Sequence, residues 1–70
     1  MKVSKSIRNI IDEIYDECNL IEDVNDSDIF DKIYELHPRL GIKNKRIIYA
    51  YVCSQLFGDD VEEVLNAFNN

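Results

Sequence analysis

Two clusters of like-charged side chains are the residues best placed to do chemistry in this sequence, and the chemistry is electrostatic recognition. Asp12, Glu13, Asp16 and Glu17 recur at steps of one and four, so a helix carries all four on one polar face. Each like-charged i, i+4 pair costs a helix about 0.2–0.5 kcal/mol. A positively charged partner would relieve that repulsion, although an ordinary solvated face also tolerates it. The second cluster, Arg39, Lys43, Lys45 and Arg46, gathers four cations in a chain of formal net charge −6. With a helix opening at Asn44, Lys45 and Arg46 fall in its first turn. There the positive end of the backbone dipole disfavours a cation by about 0.3–1 kcal/mol. Such a basic knob would meet a phosphate or an acidic partner. The competing expectation is internal pairing, since residues 12–35 hold ten carboxylates against Lys32 alone.

Metal binding and catalysis fail on ligand type and spacing. Asp23, Asn25, Asp26, Ser27, Asp28 and Asp31 crowd as a calcium loop would. Counting from Asp23, however, Asp28 stands where the turn glycine belongs and Tyr34 where the bidentate glutamate belongs. The cluster reads as a helix-capping turn. One histidine and two cysteines without paired spacing make no zinc site. Cys18 and Cys53 fall on apolar helix faces as small hydrophobes, and His37, beside Pro38, suits a helix C-terminus better than a general base. Gly41 and Gly58 are the only glycines, too few and too far apart for a phosphate-cradling loop. The expectation is a protein without catalytic residues, metal or cofactor.

The elements that must position these clusters are helices. Val3, Ile7, Ile10, Ile11, Ile14, Tyr15, Cys18 and Ile21 follow three- and four-residue steps, the mark of one apolar stripe. Ser4 or Ser6 can cap this first helix. Ile29, Phe30, Ile33 and Tyr34 repeat the pattern in a second, capped by Asp26 or Ser27 and stopped at His37-Pro38, because a residue before proline is pushed out of helical geometry. A third helix runs from Asn44 to Phe57 and closes on Gly58, where a left-handed cap is wanted. Asp59 or Asp60 opens the fourth, whose apolar face is Val61, Val64, Leu65 and Phe68. The prediction is all-α: a compact four-helix bundle, one domain over residues 1–70, with helices at about 4–21, 27–36, 44–57 and 60–69.

The third helix decides the packing. Ile47, Ile48, Tyr49, Ala50, Tyr51, Val52 and Cys53 form an unbroken apolar run, and a helix apolar nearly all round is buried nearly all round. It is expected at the centre, wrapped by the other three. A sharper alternative leaves the row Tyr49, Cys53 and Phe57 open as an anchor for a partner or a second copy, since aromatic side chains dominate interface energy.

Composition bounds the rest. Seventy residues make one small domain, able to net about 3–5 kcal/mol from its core without staples. The apolar run is far shorter than the roughly 20 residues that span a bilayer. Two cysteines and a polar N-terminus point to reduced thiols in the cytoplasm. A helix-turn-helix about Gly58 would place Asp59, Asp60, Glu62 and Glu63, without Lys or Arg, against phosphates. Nucleic-acid binding would therefore fall to Arg39, Lys43, Lys45 and Arg46. Size, acidity and a bias toward Ile, Asn, Asp and Tyr look like small regulators or inhibitors of phages, viruses and mobile elements. The functional expectation is a non-enzymatic interaction protein whose acidic face covers a basic surface of a larger protein. Nucleic-acid regulator and structural homodimer are its rivals.

Overall fold

Four helices form in the computed structural model, which describes residues 3–69: α1 (Lys5–Cys18), α2 (Asp26–Leu36), α3 (Ile42–Phe57) and α4 (Val61–Ala67). Their ends follow from local chemistry. The Ser4 hydroxyl accepts the Ile7 N–H at 3.2 Å and opens α1. The helix ends sooner than its apolar stripe, because the N–H groups of Leu20 and Ile21 turn back to the carbonyls of Glu17 and Cys18. The acid-rich segment after it is a capping turn, as expected, but the cap is Asn25 rather than Asp26 or Ser27. The Asn25 side-chain oxygen accepts the Asp28 N–H at 3.1 Å and the Ser27 hydroxyl at 2.6 Å, while the Asp28 carboxylate accepts the Asn25 N–H at 3.0 Å. Two backbone donors are thus satisfied reciprocally.

The helix α2 stops at Leu36, just before His37-Pro38. Then α3 starts two residues earlier than the sequence suggested. Gly41, not Asn44, is its N-cap, with no side-chain acceptor, and the first helical bond runs from the Lys45 N–H to the Gly41 carbonyl at 3.0 Å. Ile42, half-exposed, extends the apolar pattern by one turn. Gly58 adopts φ 78° and closes α3 in the left-handed conformation that a residue without Cβ takes at least cost. Asp60 accepts the Glu63 N–H at 3.2 Å to open α4.

Packing bears out the central third helix: α3 touches α1, α2 and α4, whereas α4 rests on α3. The core is Ile11, Ile14 and Cys18 from α1, Ile29 and Ile33 from α2, and Ile48, Val52 and Cys53 from α3. Half-buried Val24, Leu40, Tyr49, Tyr51 and Leu56 close its margins. Burying one such aliphatic side chain contributes about 1.5–3 kcal/mol. Both cysteines are free and buried. Burial pushes both thiols above their ordinary pKa, which keeps them protonated and inert.

Candidate interaction surfaces

The acidic face is built by α1. Asp12 and Asp16 are exposed and Glu17 is half-buried beside them. Glu13 points toward the end of α2, where its carboxylate meets His37 Nε2, so His37 ties α2 to α1. The one ion pair of a Lys or Arg among the described residues is Lys32 with Glu35 at 3.3 Å, within α2. Asp12 and Asp16 therefore face solvent with no cation against them among the described residues.

The basic cluster does not form a knob. Lys45 is only 5% exposed, its ammonium donating to the Pro38 carbonyl at 2.9 Å and lying 4.1 Å from the centre of the Tyr34 ring. Arg46 turns the other way. Its guanidinium carbon sits 5.0 Å over the Phe68 ring, and its Nε is buried without an acceptor. Arg39 and Lys43 remain exposed. Neither sequence expectation describes this arrangement, for two of the four cations turn inward and none pairs with a carboxylate among the described residues. Because α3 opens at Ile42, Lys45 and Arg46 also leave the first turn for the second, where the dipole penalty has largely faded. Arg8 follows the same habit, 5.1 Å over the Tyr51 ring.

The row Tyr49, Cys53 and Phe57 is divided by burial rather than presented as one surface. Cys53 is 2% exposed and Phe57 44% exposed. Tyr49 stacks on Phe30 with ring centres 4.2 Å apart, and Phe68 meets both edge-on at 5.9 and 5.7 Å. Burial is the main cause of a strong upward shift in the Tyr49 phenol, reinforced by its contacts with Cys53 and Asp26. Only Phe57 remains as an open aromatic from this row.

A feature the sequence did not disclose lies between the first half of α3 and the end of α4. Ile42, Lys43, Arg46, Ile47, Leu65, Phe68 and Asn69 line a groove of about 240 Å³. Its signal was masked by the expected Asn44 cap, which left Ile42 in the loop. Among the described residues, no three His, Cys, Asp or Glu side chains converge as metal ligands, and no helix is long and apolar enough to cross a membrane. Compared with protein-family models, curated proteins and solved structures, the chain matches none. Function must be argued from these surfaces.

Proposed function

We propose that this protein is a small non-enzymatic interaction module that acts in the cytoplasm as a regulator or inhibitor, docking its acidic face on a basic surface of a larger protein and occluding it. One observation supports this reading above the others: the inward cations are engaged by aromatic rings and a carbonyl, leaving Asp12 and Asp16 without a cation partner among the described residues. Asp12 and Asp16 lead the face, Glu17 flanks it, and Glu13 is engaged by the His37 ring. An unpaired field of one sign steers an opposite partner over a Debye length, about 8 Å at physiological salt. Phe57 is the exposed aromatic of the Tyr49–Cys53–Phe57 row, available to anchor the encounter.

The test is affinity capture from the host lysate, with and without nuclease, followed by association kinetics on the captured protein. Wild-type chain is expected to retain a basic protein after nuclease treatment, and the double variant Asp12→Lys, Asp16→Lys to lose it. The association rate should fall about tenfold or more between low and high salt. A rate indifferent to salt, or a double variant that captures as well as wild type, rejects the reading. Capture that vanishes with nuclease would instead favour nucleic acid, through the exposed Arg39 and Lys43.

A further inference from the structure

We infer that the groove between α3 and α4 receives the apolar anchor of an acidic peptide segment. This surface is separate from the acidic face of α1 and opposite to it in sign, so the inference goes beyond the function proposed above. The groove's walls are Ile42, Ile47, Leu65 and Phe68. Ile42 is 49% exposed at its edge. Its only charged lining residues are Lys43 and Arg46, in a chain where acids outnumber Lys and Arg by 14 to 8. No carboxylate is among these lining residues, and the two cations fix the sign of what can sit there.

Size narrows the occupant further. A volume of about 240 Å³ falls below the roughly 300–1,000 Å³ of clefts that enclose small molecules. It suits one or two bulky side chains projecting from a partner helix, the usual way an amphipathic segment enters a groove. Carboxylates flanking such an anchor would meet the exposed Lys43 ammonium and the outer edge of the Arg46 guanidinium. Phe68 already holds that guanidinium 5.0 Å from its ring centre, so little side-chain freedom is lost on binding. A basic segment would meet like charges, which an interface disfavours. The groove thus selects by sign as well as by shape.

The test uses an amphipathic peptide of leucine and glutamate, with counterparts in which glutamine or lysine replaces every glutamate. Binding is followed by amide chemical shifts in the whole protein. The glutamate peptide should shift Lys43, Arg46, Leu65 and Asn69, bind about tenfold tighter than the glutamine peptide, and leave the lysine peptide without effect on these residues. Lys43→Glu should weaken it about tenfold, whereas Lys5→Glu, an equal charge change at the exposed start of α1, should change it less than twofold or so. Ile42→Ser should weaken it without unfolding the chain, because the side chain is half-exposed. Equal affinity for glutamate and glutamine peptides, equal effects of the two Lys→Glu variants, or no groove shifts at millimolar peptide would overturn the inference. So would concentration-dependent shifts of the same residues with no peptide and a doubled mass, since the occupant would then be a second copy.

Discussion

Replacing Lys45 with methionine keeps a linear side chain of similar length and deletes only the ammonium. The structure sets what is lost. A hydrogen bond from a charged donor, here to the Pro38 carbonyl at 2.9 Å, contributes about 1.5–3 kcal/mol. A cation 4.1 Å from the Tyr34 ring centre contributes about 0.5–2 kcal/mol. Two terms work against these. Methionine has no charge to desolvate, and Pro38 is exposed, so its carbonyl finds water once the ammonium is gone. The balance is a loss of about 1–2 kcal/mol for Lys45→Met. Lys45→Ala also strips the buried stem, three CH₂ groups at about 0.8 kcal/mol each, and should lose about 3–4 kcal/mol. Against the roughly 3–5 kcal/mol available to a domain this size, the alanine variant should be partly unfolded at room temperature. Urea denaturation followed by helix circular dichroism measures both, and an unchanged slope would show that the same surface is exposed on unfolding. A double-mutant cycle with Tyr34→Leu should give a coupling of about 0.5–2 kcal/mol. If Lys45→Met is as stable as wild type, or more stable, the buried amine is not holding α2 to α3 and the reasoning fails.

The other expectations concern the cap of α2 and the thiols. Asn25→Ala removes one acceptor shared by the Asp28 N–H and the Ser27 hydroxyl and should cost about 1 kcal/mol in urea melts, with Ser27→Ala costing less; equal costs would refute the assigned cap. Cys18 and Cys53 have pKa values raised by burial, so between the unfolded value, about 8.5, and the higher native values the folded state holds more protons than the unfolded one. Their contribution to stability is therefore complete below about pH 8 and is lost as pH rises through the native values; a melting temperature that climbs from pH 8 to pH 10 would contradict the assignment.

The helical bundle was legible because the evidence for it is local and repeated. The stripe of α1, the proline after His37 and Gly58 at the end of α3 each act within a few residues; α2 and α3 end where the sequence put them, while α1 stops at Cys18, short of the Ile21 its stripe reaches. The start of α3 was missed because Asn44 is the better capping residue by propensity. Gly41 has no side chain to signal a cap, yet it opens the helix two residues sooner and brings Ile42 into the apolar pattern. Asn25 was missed for a related reason. Several acids and a serine nearby could each cap alone, and only the geometry distinguishes the residue whose oxygen reaches both neighbours. The fates of the cations were less legible still. Nothing in the run from Lys43 to Arg46 states that Lys45 faces Tyr34 while Arg46 faces Phe68, because those rings belong to segments separate from α3.

That divergence follows from the helix itself. Adjacent residues on α3 point about 100° apart, and the only cations of this helix lie near its N-terminal end, where Tyr34 flanks one side and Phe68 the other. A helix apolar along most of its length has few other places to put a polar side chain. Rings and a backbone carbonyl hold these two cations without any carboxylate, so ordering them leaves the acids of α1 as they were. Glu13 is the exception, held by His37. Fold and field are therefore carried by different residues. Reversing Asp12 and Asp16 should change the field of the molecule and take little from its stability, since neither side chain has a partner to lose among the described residues. Neutralising Lys45 does the opposite, weakening the seam between α2 and α3 while changing little of the surface that an incoming partner meets.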